Sequence, residues 1–356
     1  MAYMEFHKEK LKHNYDFLNN LFQSNNIAWG IVTKLLCGNK TYLKEVIDLG
    51  AKQICDSRTS NLRVIKSIDP EIETVYIKPP AKRAVSSVVK YADISLNTEL
   101  YTIKLLNEEA ERQDKIHRVI IMIEMGDLRE GVLGDNLIEF YGKIFNLPNI
   151  EVIGIGTNLN CLYGIMPSQD KLIQLGLYKQ LIEAKFRRKI RYVSGGSSVT
   201  IPLLVKGILP ASVDHFRVGE SLFFGKDLFT GKMIKGMKNG IFKLHAEIIE
   251  LIEKPVVPTG EIGTNVAGEM LEFDEKNLGK TTFRAILDIG LLDIDMDSLE
   301  PVDRKINISG ASSDMIVVDL GTRKPKYRVG DLVEFKLSYM GTLHVMNSAY
   351  IDKKII

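Results

Sequence analysis

"IAWGIVTKLLCG" (27–38) is the stretch on which the fold turns. Ile27 to Val32 is apolar over the length of a buried strand, and the run stops at Thr33-Lys34. Lysine is seldom fully buried without a partner. A lysine at a strand tip is therefore either a surface residue with its stem laid along the protein or a group placed for chemistry. The surrounding chain decides between the two.

Comparable runs recur outward from it: "QICD" (53–56), "TVYI" (74–77), "DISL" (93–96), "RVIIMIE" (118–124), "VIGIG" (152–156), "RYVS" (191–194) and "HFRVG" (215–219). Helical stretches separate most of them, among them 41–50, 98–113 and 172–189. In the second, Leu100, Ile103, Leu106 and Ala110 follow helical spacing with charges between them. Strands alternating with helices imply parallel strands joined by crossover helices. Eight such units make a (β/α)8 TIM-type barrel. The competing fold is a doubly wound open sheet, but "GIGTNL" (154–159) has Leu159 where a dinucleotide fingerprint needs its third glycine.

After residue 235 the pattern changes. Segments 241–252, 282–290, 315–321 and 331–338 are strand-like and separated by Gly-, Pro- and Asp-rich turns. The expected organisation is a barrel over 6–234 and a C-terminal all-β domain over 235–356, joined by an N-terminal strand at 1–5.

Bulk properties narrow the function. A net charge of +2 gives no reason to expect nucleic acid or a membrane surface. No run approaches a bilayer span, and residues 1–25 lack a signal-peptide core. Cys37, Cys55 and Cys161 are an odd number without a CxxC pair, which argues against a disulfide framework and for a reducing cytoplasm. His7, His13, His117, His215, His245 and His344 show no metal-ligand spacing, so no metal is expected.

In such a barrel, chemistry collects at the C-terminal ends of the strands, with phosphate often bound after strands seven and eight. Lys34 ends strand one, strand seven runs into "SGGSSVT" (194–200), and strand eight carries "FRVGES" (216–221). Ser194, Gly195, Gly196, Ser197 and Ser198 form a candidate phosphate cradle, the alternative being a turn that caps a helix. Glu220 suits a phosphate site only if its N–H faces the anion and its carboxylate turns away. A strand-tip amine opposite an anion cradle suggests pyridoxal phosphate, the amine forming a Schiff base with the aldehyde.

Taken in order, "VTKLLCG" (32–38), "CDSR" (55–58), "MGDLREG" (125–131), "GIGTNLNC" (154–161), "SGGSS" (194–198), "FRVGESLFFG" (216–225) and "GASSD" (310–314) resemble the alanine racemase-like, fold type III family of pyridoxal phosphate enzymes. Within it the chain most resembles the ornithine racemase branch. The resemblance implies racemisation of a free amino acid, ornithine or another basic one, by α-proton abstraction and reprotonation on the opposite face. It implies that Lys34 carries the cofactor and acts as one base. Arg217 would face the pyridine nitrogen, or else pair with Asp214. A guanidinium is donor-only, so it would keep that nitrogen unprotonated. Arg129 would lie near the phenolic oxygen and the substrate carboxylate. Asn158 takes the place where alanine racemases carry a histidine packed on the ring. Gly196, Ser197, Ser198, Gly219 and Glu220 would hold the phosphate, with Tyr350 either reaching it or serving as a core tyrosine.

The chain departs from the family at the second base. Where alanine racemases present a tyrosine from the partner subunit, "DIGLLDID" (288–295) has Leu291, and leucine cannot move a proton. Ser313 and Asp314 become the candidates, within a composite site of a homodimer; Asp314 could also cap a turn or recognise an ammonium group. Glu124, Asp127, Asp293 and Asp314 are candidate acceptors for a substrate's terminal amine. The alternatives are a fold type III decarboxylase, whose family pairs the pyridine nitrogen with glutamate, and a pyridoxal phosphate-binding homeostasis protein, which resembles the barrel alone.

Overall fold

A computed structural model describes residues 2–264, 268, 270 and 272–356. The chain divides into two compact units, Glu9–Asn239 and Met1–Lys8 with Gly240–Ile356.

The first unit is an eight-strand parallel barrel. Its strands are β1 (Ala28–Val32), β2 (Gln53–Asp56), β3 (Glu73–Tyr76), β4 (Ile94–Asn97), β5 (His117–Met122), β6 (Ile150–Gly156), β7 (Tyr192–Ser194) and β8 (His215–Val218). Each pairs with the next from β1 to β7, and β8 pairs with β1. The barrel closes through Gly196–Ser197, which continues the chain beyond β7 and pairs with the far edge of β8. A helix follows every strand, from Lys40–Asp48 after β1 to Glu220–Phe224 after β8. Cys55, Val75, Ile94, Leu96, Ile120, Met122, Ile153 and Tyr192 form one buried cluster across β2 to β7.

Local signals explain much of this. Asn39 caps the helix after β1 by accepting from Tyr42 N at 3.0 Å, and Ser168 caps Gln169–Phe186. That last helix stops three residues short of the expected 189. Arg187 adopts a left-handed conformation (φ 52°), and neither glycine nor proline in the sequence marks the stop.

In the second unit, Tyr3–Phe6 pairs antiparallel with Phe242–Pro255 and parallel with Asp352–Ile355. The main sheet runs in the order 299–301, 332–337, 242–255, 281–287, 316–319, 307–311. Phe242, Leu244, Ala246 and Ile248 alternate inward along the long strand. The expected C-terminal β domain is built on this sheet, to which Tyr339–Asn347 adds one helix capped by Ser338. Gly341, Thr342 and Val345 are poor helix formers, and all three are buried. Packing holds this helix rather than propensity, which is why its sequence does not announce it.

The glycine at 196 has a packing reason. A Cβ there would lie 2.2 Å from the ring of Phe216, which is fully buried against Phe22. Gly196→Ala is expected to destabilise the protein by about 1–3 kcal/mol in urea unfolding. A loss below measurement error would mean that the Phe216 ring can yield.

Candidate active site

At the tips of β1 and β2 a buried polar joint sets the position of Lys34. Thr33 N donates to Cys55 O at 2.9 Å, and Thr33 Oγ1 donates to Asp56 Oδ2 at 3.0 Å. Asp56 is completely buried and also accepts from Arg58 N and Asn61 Nδ2, each at 3.0 Å. Burial pushes its carboxyl up to about 6 in spite of these bonds. With Thr33 held, the next turn buries Leu35 and Leu36 and leaves Lys34 exposed. Lys34 and Lys226 both act electrostatically on the Glu220 carboxyl, whose pKa burial nonetheless raises.

Arg217 lies on β8, almost wholly buried. Its Nη1 donates to Ser194 O at 2.9 Å and to Ser194 Oγ, and its Nη2 donates to Thr157 O at 2.8 Å. A salt bridge with Asp214 is not formed; Asp214 accepts instead from Val193 N at 2.7 Å, with Lys179 Nζ at 3.9 Å. Arg217 thus ties the ends of β6 and β7 to β8, and its Nε–H takes no part in these bonds. Burial lowers its pKa from the usual guanidinium value.

Ser197 caps the short helical turn that follows, its hydroxyl accepting from Thr200 N while Thr200 Oγ1 accepts from Ser197 N. Capping is therefore realised, yet it does not use up the hydroxyl proton. Ser198 Oγ accepts from Ser221 N at 3.1 Å, bringing the Gly196–Ser198 segment against the Gly219–Ser221 segment.

Arg129 is gripped from several sides. Glu130 takes its Nε and Nη2, and Cys161 Sγ takes its Nη1. Asn158, with its amide oxygen turned toward the guanidinium, accepts from Nη2 at 2.7 Å and Nη1 at 3.1 Å. Glu130 is also the main reason the Arg129 pKa rises. Asp127, with both oxygens bonded to backbone N–H groups, is not available to a substrate amine, whereas Glu124 is held through Oε1. Glu124 accepts from Gly126 N and Leu128 N, and Asp127 accepts from the N–H groups of Cys161, Leu162, Tyr163 and Ile165.

The remaining candidates lie in the β unit. Leu291 N donates to Ser312 O at 3.0 Å and Leu292 N to Ser313 O at 2.8 Å, so the Leu291 loop and the Ser313–Asp314 turn are neighbours. Asp314 accepts from the hydroxyls of Ser312 and Ser313 at 3.3 and 3.2 Å, and Asp293 accepts from Ser348 Oγ at 2.5 Å. A cleft of about 1090 Å³ runs beside them, lined by Leu291, Leu292, Asp293, Ser312 and His344. Tyr350 is 75% exposed, which rules out a core tyrosine.

Comparison with known proteins adds to this geometry. The family model for "Alanine racemase, N-terminal domain" matches residues 6–227. This chain belongs to that family. It is 39% identical to the ornithine racemase of Acetoanaerobium sticklandii over 98% of this chain and 97% of that one. It is 31% identical to the lysine racemase of Thermotoga maritima, covering 90% and 89%. Among solved structures, alanine racemase from Bartonella henselae with covalently bound pyridoxal phosphate superposes with a TM-score of 0.74. The identity there is 18%, covering 100% of this chain and 99% of that one, a likeness of fold.

Several groups that shape this barrel mouth escaped the sequence reading: Asp56, Glu130 and Thr157 as partners of the expected residues, and Cys161 against Arg129, while Ser194, expected in the phosphate cradle, accepts from Arg217 instead. The available signal was a polar residue ending an apolar run, as in "QICD".

Asp56 and the buried histidines make opposite contributions to acid stability. Burial holds His117 down to about 4 and His215 to about 3, so the unfolded chain binds their protons first and stability falls as pH drops below about 6.5. Asp56 is raised, so between its ordinary value and about 6 the folded state binds the extra proton and stability rises on acidification. Two groups outweigh one. Asp56→Asn should therefore steepen the acid-side loss by up to about 1.4 kcal/mol per pH unit near pH 5, measured by urea unfolding. An unchanged slope would mean that Asp56 titrates normally.

Proposed function

We propose that the protein is a pyridoxal phosphate-dependent racemase of a basic amino acid, with ornithine the first candidate, acting as a cytoplasmic homodimer. The observation that carries this reading is the similarity to ornithine racemase, which extends over 98% of the chain and so through both units. The lysine racemase similarity favours the same substrate class, an amino acid ending in an amine.

The residues fit the cofactor. Lys34 presents an amine at the tip of β1, and Arg217 keeps Nε–H outside its bonds to Ser194 and Thr157. Ser197 and Ser198 have accepted backbone N–H groups and keep their own protons to give to a phosphate. Pyridoxal phosphate, when bound, supplies the electron-withdrawing system that makes the α-proton of an amino acid removable.

In this reading Lys34 Nζ holds and moves a proton on one face of the substrate. Arg217 donates from Nε–H and has no proton to give up, so it leaves its partner nitrogen unprotonated. Arg129, fixed by Glu130, Asn158 and Cys161, offers a positive wall for the substrate carboxylate. The second face is assigned to the Ser313–Asp314 turn of a partner subunit, since Leu291 cannot accept a proton. With both oxygens of Asp127 occupied by backbone N–H groups, Glu124, Asp293 and Asp314 remain as acceptors for the terminal ammonium group.

The test is proton NMR in heavy water with pyridoxal phosphate and L-ornithine, L-lysine, L-arginine, L-serine or L-alanine, followed by chiral chromatography. The expected result is loss of the α-proton signal and appearance of the D-isomer, fastest for ornithine or lysine. Lys34→Ala should abolish both. Exchange without inversion, or release of carbon dioxide, would reject the racemase reading.

A further inference from the structure

Below Arg217 a line of polar side chains crosses the barrel, and each member fixes the donor direction of the next. Glu73, at the start of β3, is ion-paired with Arg118 Nη1 at 2.8 Å. Its other carboxylate oxygen accepts from Gln53 Nε2 at 2.6 Å, so the Gln53 amide has one orientation only. Gln53 Oε1 then faces His215 Nε2 at 2.8 Å, which must carry the ring proton. The bare Nδ1 accepts the hydroxyl of Ser194 at 2.6 Å, and Ser194 Oγ is left with its lone pairs toward Arg217 Nη1.

Gln53, His215, Ser194 and Arg217 are all at least nine-tenths buried. Burial, with Arg217 and Arg191 nearby, keeps His215 neutral. Gly30 on β1 leaves the space this line needs, since a Cβ there would lie 2.5 Å from Gln53 Oε1. A buried polar line of this length is costly unless every member is satisfied in a single arrangement, and this one is.

We propose that Glu73, Gln53, His215 and Ser194 are positioning residues for Arg217, fixing which edge of its guanidinium faces the barrel mouth. The proposal rests on the reading that Arg217 meets the cofactor's ring nitrogen. Were His215 to take the other tautomer, its Nδ1–H would point at Ser194 Oγ and turn the serine proton toward Arg217. Two donors would then face each other, and the guanidinium would swing.

The experiment uses two variants, Gln53→Met, which removes the amide at similar length, and Ser194→Ala, which removes the hydroxyl alone. Nitrogen-15 NMR of the cofactor-free protein reads the His215 tautomer. The same measurement on protein loaded with ring-labelled pyridoxal phosphate reads the pyridine nitrogen, and dialysis reads cofactor retention. We expect the Nε2–H tautomer in wild type and a shift toward Nδ1–H in Gln53→Met. In both variants the pyridine nitrogen signal should move and the cofactor should be lost about tenfold faster. Wild-type ring signal and retention in both variants would overturn the proposal while leaving the racemase reading intact. Wild-type protein that takes up no cofactor would overturn the racemase reading, and this one with it. If Gln53→Met fails to fold, Ser194→Ala decides alone.

Discussion

The barrel mouth depends on a buried cation that, among the described residues, has no hydrogen-bonded carboxylate. Among the described residues no direct ion pair neutralises Arg217; the carbonyls of Thr157 and Ser194 and the Ser194 hydroxyl carry its hydrogen bonds. A guanidinium removed from water needs such acceptors, and they must be rigid to be worth more than the water they replace. β6, β7 and β8 supply that rigidity because their ends are already fixed by the parallel ladder. In return the arginine locks the register of three strand tips. Loosening any of the three would leave a buried charge short of partners, so the geometry of this corner is all-or-none.

The neighbouring tips of β1 and β2 are built on a different principle. There a buried carboxylate, Asp56, gathers Thr33, Arg58 N and Asn61, and so holds the chain at the point where β1 turns outward. Leu35 and Leu36 bury themselves directly after the turn, so Lys34 is the one residue of that step left facing out. A flexible, charged side chain is thus mounted on a rigid base, the arrangement expected of a group that must move protons without moving its backbone.

Around the mouth, charged residues divide by whether their valences are already filled. Asp127 serves the backbone with both oxygens and is closed to ligands, while Glu124 is bound through Oε1. Arg129 is enclosed by Glu130, Asn158 and Cys161, its charge paired with the Glu130 carboxylate. The Ser197 and Ser198 hydroxyls and Arg217 Nε–H still have protons to give. In sequence these groups look alike; the inventory of bonds already made separates them.

The sequence by itself determined the barrel and the place of Lys34. Strand periodicity, apolar runs and the helical spacing between them are short-range signals, written within ten or twenty residues of each position. It also indicated Arg217 and the Gly-Ser segment, because their strand-tip positions follow from the count of strands. The tertiary structure alone decided what each of them holds. Arg217 meets Ser194 across 23 residues and Thr157 across 60, and His215 meets Gln53 across 162. Partners at such separations leave no periodic trace, since any polar residue ending an apolar run could have filled the role. The same holds for Tyr339–Asn347, a helix made from weak formers, where burial against the rest of its unit supplies what local propensity lacks.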